Sequence, residues 1–424
     1  MRAMKDSGIA WIGEIPGEWK IVRNKNAFVC NKELVGEKSA LTQLLSLTTR
    51  GIKKKDINNA EGKLPESFDT YQFVRENDIV MCLFDLDCSA VFSGISPIDG
   101  MISPAYRVLS CKECIEPRYA DYWFRYISDG RKFNHFAKNI RYTLSYEEFS
   151  ALPLLLPKKV EQHRIADYLD RKCSQIDAII ARQQEVIEKL KAYKLSVITE
   201  AVTKGLNPHA PMKDSGVEWI GEIPEHWKIG KLCFFTVRIG DGLHGTPEFD
   251  DKGEYYFING NNLGATYITI KENTKTVALS EYNKYFIALD ENTLLISLNG
   301  TIGSVSQYHG EQIILGKSAG YIIIDSCRDL TLDYLRFYLQ SKSVKTLFEL
   351  SFAGTTINNL SLETLRNLPV CIMTSEEQLQ ISKVLDKKCL EIESTIQKKQ
   401  ILIERLAGYK KSLIYEVVTG KKEV

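Results

Sequence analysis

Several things are scarce in this 424-residue chain, and each absence excludes a class of protein. Apolar runs are short: residues 152–156 are interrupted and followed by proline, far below the roughly 20 residues of a membrane span. The first residues lack the apolar stretch of a secretory signal, so a cytoplasmic protein is expected. Charge of one sign is also missing. Lys and Arg number 55 against 54 Asp and Glu, a net charge of +1, without the basic excess common in nucleic-acid-binding domains.

Histidines number only six. There is no GxxxxGK[ST] phosphate loop, no HExxH zinc motif, and no Asn or Asp followed by Pro, Pro and an aromatic residue, as amino-methyltransferases use. The ten cysteines are scattered, which in a large cytosolic protein favours buried thiols over a disulfide framework. Cys111 and Cys114 form a CxxC that no second pair completes, so no metal site is expected. Cys173 and Cys389 read as small buried apolar side chains on helices. No catalytic residue, metal or cofactor is assigned to the chain.

What is present is a duplication. Residues 4–21 and 212–229 agree at 14 of 18 positions, and residues 161–203 match 377–419 at 20 of 43 without a gap. Equivalent residues lie 208 apart at the opening (Trp11, Trp219) and 216 apart at the close (Leu169, Leu385), so the second interior has gained about eight residues net. The frame is constant and the interiors diverge. With 44% apolar and 26% charged residues, both interiors can bury cores.

The closing block carries apolar residues at alternating steps of four and three, the 3.5-residue period of a coiled coil. Its seam is Leu169, Cys173, Ile176, Ile180, Ile187 and Leu190 in the first copy and Leu385, Cys389, Ile392, Ile396, Ile403 and Leu406 in the second. Polar residues interrupt both at the same levels, Gln183 and Lys194 in one, Lys399 and Lys410 in the other; such interruptions fix register and partner. Two helices of about 40 residues, each roughly 60 Å long, are expected, packed in one alignment. Ser375 with Gln378 suggests a capping box for the second; residues 205–211, with two prolines, end the first. Core packing in an ordinary bundle is the alternative.

The interiors speak of strands and turns. Residues 78–84, 293–298, 312–315 and 321–324 are apolar segments bounded by Gly, Asn, Asp or Ser, and amphipathic helices follow over 118–128 and 332–341. Each interior is expected to be an α+β domain of about 140 residues, giving two tandem-repeated α+β domains separated by long helices.

The opening WIGEIPxxWK, the Glu-Gln pairs entering the helices (Glu161, Gln162; Glu377, Gln378), the closing Val-Thr pairs (Val202, Thr203; Val418, Thr419) and residues 239–247, IGDGLHGTP, recur in order. In these features the chain resembles the specificity subunits of type I restriction-modification systems, over essentially its whole length. The resemblance implies recognition domains at residues 1–158 and 207–374 and helical spacer regions at 159–206 and 375–424. Each recognition domain would read one half of a split, asymmetric DNA site, and the helices would set the spacer and dock methyltransferase subunits, two of them expected. It also implies endonuclease-translocase partners, with S-adenosylmethionine, ATP and Mg on the partner subunits.

Candidate DNA contacts come from three sources. Arg50, Lys53, Lys54 and Lys55 form a basic run suited to a phosphate clamp. Between matching flanks, KNIRYT of one half faces GTTINN of the other, pointing to Lys138, Asn139, Arg141 and Tyr142, and to Thr355, Thr356, Asn358 and Asn359, as polar types that contact phosphates or base edges. Gly242, His244 and Thr246 lie in a Gly-rich stretch, and Asn299 and Thr301 follow a strand; glycine-rich backbone amides can approach a phosphate. A solvated surface loop is the alternative for each. Residues 84–90, FDLDCSA, stand where the second interior has a Gly-containing loop. The tryptophans of the opening motif are identical in both halves and so suit packing better than reading. Two other functions stay open: a coiled-coil scaffold that binds only proteins, and a nuclease or methyltransferase acting alone.

Overall fold

Both copies of the opening motif fold alike. In the computed structural model, which describes residues 2–48, 51–56, 65–84, 86, 93–129, 143–264, 266–352 and 358–424, strand Met4–Asp6 pairs antiparallel with Glu14–Pro16 and Met212–Asp214 with Glu222–Pro224. The turns repeat atom for atom. Asp6 accepts from the Gly8 amide and Ser7 from that of Ile9, as Asp214 and Ser215 do from Gly216 and Val217, the local side-chain turns that Asp and Ser favour.

Each interior then builds a four-stranded antiparallel sheet with one order. In the first copy Phe28–Asn31, Arg107–Cys111, Ile79–Met81 and Ser93–Ile95 are neighbours. In the second, Thr236–Asp241, Ala319–Ile324, Thr293–Ser297 and Val305–Gln307 take their places. Helices Pro117–Asp129 and Leu332–Gln340 bury Tyr119, Trp123 and Phe124, and Tyr334, Phe337 and Tyr338, in the respective cores. The α+β content read from sequence is present. The second interior adds a three-stranded sheet of Thr276–Val277, Tyr255–Ile258 and Ile313–Leu315 with one parallel pairing.

Two long helices follow, Lys159–Lys204 of 46 residues and Ser375–Val418 of 44, about 69 and 66 Å at 1.5 Å per residue. Among the described residues no helix is long and apolar enough to cross a membrane. Packing divides the chain into one unit of Met1–Gln183 with Gln400–Val424 and another of Gln184–Lys399. Each long helix therefore gives its opening turns to one unit and its closing turns to the other, a partition that cuts across the four segments read from sequence.

The entrance to each helix explains why Glu-Gln is repeated. The first unit buries Gln162 completely; its carbonyl oxygen accepts from the Glu116 amide at 2.7 Å and its amide donates to the carbonyls of Cys114 and Pro157. Gln378 does the same in the second, accepting from the Thr331 amide at 2.8 Å and donating to Asp329 and Met373. One side chain thus fastens the interior helix to the long helix. Glu161 accepts from the indole of Trp19 at 3.1 Å and Glu377 from that of Trp227 at 3.0 Å. Burial of Trp19 and Trp227 places these rings in packing, as their identity in both copies suggested.

That bonding corrects the expected capping box. Ser375 is already helical; Thr374 accepts from the Glu377 amide, and Gln378 is turned into the protein instead of back over the helix end. A buried acceptor and donor set outcompetes a cap that water can replace.

The helix exits also match. Gly205 and Gly420 have φ of +76° and +72°, the left-handed ending that glycine accommodates. A methyl on Gly420 would overlap Pro16, and one on Gly205 would press on Trp227 at 3.3 Å. In the first unit Leu169, Cys173 and Ile176 join Leu413, Val417 and Val418 in one core; in the second Ile198, Ala201 and Val202 join Ile381, Leu385 and Cys389. Of the remaining seam residues Ile187 and Ile392 are buried, and Ile180, Leu190, Ile396, Ile403 and Leu406 half-buried. The level of Lys194 and Lys410 holds ion pairs: Lys410 with Asp177 at 2.6 Å in the first unit and Lys194 with Glu393 in the second, equivalent pairs by the duplication. Cys111 is pushed up to about 12 by burial, so its thiol stays protonated.

Replacing Gln162 by Met should cost 2 kcal/mol or more, on the order of 1–3 kcal/mol for each buried backbone group left unpaired. His163→Leu, which installs the residue of the other copy, should change stability by less than about 0.5 kcal/mol, since its bond to Glu116 is half-exposed. Thermal and denaturant melts of the two variants separate a docking role for the Glu-Gln pair from generic helix stabilisation.

Candidate nucleic-acid interface

In the second unit five loop segments meet at one edge of the interior. The Gly-rich segment lies against the Gly316–Ala319 turn: Gly242 donates to the Ala319 carbonyl at 3.1 Å and Leu243 to that of Leu315 at 2.7 Å. A side chain on Gly242 would run into the backbone of Leu315 and Gly316, and one on Gly316 into Asn259. Residues 259–261 are tied in turn to both neighbours. Ser318 Oγ accepts from the Gly260 amide at 2.9 Å and donates to Asn259 Oδ1 at 3.0 Å, and Thr301 donates to the Gly260 carbonyl at 2.9 Å. Asn299 forms an antiparallel bridge with Asn359, next to a Leu360 amide bound to the Leu298 carbonyl at 2.9 Å.

These contacts bring together Gly242, Asn299, Thr301 and Asn359, which the sequence singled out separately. His244, Thr246, Thr301, Asn358 and Asn359 are exposed. The sequence reading missed Asn259, Gly260, Lys317 and Ser318, although residues 259–262, NGNN, have the Asn-Gly composition of a tight loop.

The Gly-rich segment needs a correction. Its spacing fits GxGxxG over residues 240–245, and it follows a strand, but no helix opens there, and a dinucleotide turn requires one. The amides of Gly242 and Leu243 are spent inside the fold, and His244 Nε2 sits 2.6 Å from Asp241 Oδ2. Its glycines serve close backbone approach, not a ready phosphate cradle. Residues 316–320, GKSAG, likewise fit the GxSxG pattern of a hydrolase nucleophile, but Ser318 lies in a strand-to-strand turn and its acceptor is an amide oxygen, so the strand-to-helix elbow and its base are missing.

In the first unit Leu144 donates to the Leu83 carbonyl at 2.8 Å, the equivalent of Leu360 on Leu298. The scaffold is the same while the next residue changes from Asn299 to Phe84, which stacks on Tyr106 with ring centroids 6.1 Å apart. Burial pushes the Tyr106 hydroxyl up. Lys53 and Lys54 are exposed on strand Gly51–Lys54, paired with Leu45–Thr48, and Lys55 is half-buried just beyond it. Successive strand residues face opposite ways, so Lys53 and Lys54 cannot act as one clamp. Arg50, Lys138, Asn139, Arg141, Tyr142, Thr355 and Thr356 lie outside the described residues.

A family model described as the type I restriction modification DNA specificity domain matches residues 224–404. The type I restriction enzyme MjaVIII specificity subunit of Methanocaldococcus jannaschii is 24% identical, over 97% of this chain and 94% of that one. The EcoBI specificity subunit of Escherichia coli is 22% identical over 63% of this chain and 58% of its own length. Over almost its whole length the chain is similar to specificity subunits of type I restriction-modification systems. A solved structure from work on complex assembly and conformational transition of the type I system shares its fold, with a TM-score of 0.69 at 14% identity over 96% of this chain and 99% of that one.

In the repeated motifs Trp19, Trp227, Gln162 and Gln378 are buried in packing, and among the described residues of the divergent loops His244, Thr246, Asn358 and Asn359 are exposed. Gly242→Ala should destabilise the second unit by about 2 kcal/mol or more, because backbone must move. Gly245→Ala should be tolerated, since its nearest neighbour would be a leucine methyl at 3.8 Å; differential scanning calorimetry of both variants checks this.

Proposed function

We propose that each recognition domain, residues 1–158 and 207–374, reads one half of a split, asymmetric DNA sequence. The carrying observation is one frame built twice, the same opening hairpin, four-stranded sheet order and buried Glu-Gln joint, around interiors that differ in their loops and in an added sheet. Residues that hold the scaffold cannot tell two half-sites apart; loops that differ can.

The long helices pack as a coiled coil in the register set by their matched ion pairs, fix the number of unread base pairs, and dock two methyltransferase subunits. Endonuclease-translocase subunits complete the assembly in the cytoplasm. This chain carries no catalytic step: S-adenosylmethionine, ATP and Mg belong to the partners. The near-neutral charge fits a reader whose partners supply much of the attraction to phosphate.

Exchanging residues 22–158 for the interior of a related subunit should change one half of the methylated sequence and leave the other half and the spacer as they were; a change in both halves contradicts modular reading. Inserting seven residues into both long helices should lengthen the unread spacer while keeping both half-sites. Of Lys53 and Lys54, which face opposite ways on their strand, removing the one on the DNA side should weaken binding by the assembled complex equally on cognate and unrelated duplexes, and removing the other should not. For either lysine that touches a phosphate, the slope of log affinity against log salt should fall by about 0.9.

A further inference from the structure

The turn joining strands Ile313–Leu315 and Ala319–Ile324 is built to hold one side chain out. Gly316 admits Asn259 where a methyl would collide, Ser318 bonds Asn259 and Gly260, and Ala319 closes the turn on the Gly316 carbonyl at 2.9 Å. The fourth residue, Lys317, is exposed and has no ion-pair partner among the described residues. Three neighbouring residues, Ser297, Asn299 and Thr301, connect the same network to Asn359 through hydrogen bonds and a strand bridge. On a pinned turn, contact through Lys317 costs no further ordering of backbone and leaves only the side-chain rotamers to be fixed.

The first unit supplies a comparison. Its equivalent turn runs Ser103–Tyr106 and closes in the same way, Tyr106 donating to the Ser103 carbonyl at 3.2 Å. Pro104 and Ala105 stand where Lys317 and Ser318 stand in the second, and Phe84, stacked on Tyr106, stands where Asn299 does. The same turn therefore carries an exposed lysine in one unit, joined through Ser318, Gly260 and Thr301 to the segment that bridges Asn299 with Asn359, and an aromatic pair beside a proline in the other.

We infer that Lys317 is a DNA contact of the second recognition domain alone, donating to an acceptor-rich edge next to the Asn299 and Asn359 pair. This rests on the reading of each domain as a half-site reader. The acceptor is either guanine O6 and N7 in the major groove or a backbone phosphate, the two partners of lysine in DNA complexes.

The test uses the assembled modification complex with Lys317→Ala, Lys317→Gln and Lys317→Arg subunits, scored by methylated-adenine mapping and by binding across a salt series. For a guanine contact, Ala and Gln lower discrimination at one base pair of one half-site by on the order of 10-fold, leaving the other half-site sharp. For a phosphate contact they leave the motif intact and reduce the salt slope by about 0.9, and Arg restores it. An unchanged motif together with an unchanged salt slope overturns the inference, as does degeneracy spread over both half-sites. If the unaltered complex gives no split motif, the half-site reading itself fails, whatever Lys317 does.

Discussion

Everything else in this molecule depends on a buried glutamine at the start of each long helix. Gln162 and Gln378 are completely buried, and each bridges three segments by bonds to backbone groups that would otherwise lie unpaired. Burying an amide is favourable only when its donors and acceptors are all met, so the bond set leaves the helix one direction in which to leave its interior. The adjacent glutamate, bound to a buried tryptophan indole, ties the opening motif to the same point. A constant joint allows the interior loops to diverge without disturbing the frame.

The joint is shared between copies at both ends of the chain. Residues 400–424 return to the unit that contains the N-terminal motif, where Lys421 donates to the Ile12 carbonyl at 2.8 Å and Gly420 fits beneath Pro16. The equivalent role in the second unit falls to the end of the first long helix, through Gly205 and the bond from Tyr334 to the Val202 carbonyl at 3.0 Å. Each unit thus takes its closing segment from the other copy's helix, which explains why closing and opening motifs are both preserved while the interiors are not.

Much of this was legible because the chain contains its own reference. Matching flanks located the frame, the apolar period located the long helices, and bounded apolar segments located the central strands. Helix entry was misread because Ser375 and Gln378 satisfy a local rule, whereas the glutamine is claimed by Asp329 and Thr331, distant in sequence, together with nearby Met373. The loop cluster was half seen. Asn299 and Thr301 stood out in a loop after a strand and Asn359 at a point of divergence, but Asn259, Lys317 and Ser318 join them only through strand pairing of long sequence separation, which no local spacing encodes. The Gly-rich segment misled for a related reason: glycine marks close approach of backbone, and the chain alone does not say whether a phosphate or the Leu315 carbonyl is what approaches.

The central claim is that one scaffold, used twice, reads two different short sequences at a fixed separation. Expressing the chain with its modification subunit in a methylation-free host and mapping modified adenines by single-molecule sequencing tests it most directly. The account predicts one split motif, two unlike half-sites around an unread spacer of constant length. A continuous or palindromic motif, or no modification from a stably assembled complex, would contradict it.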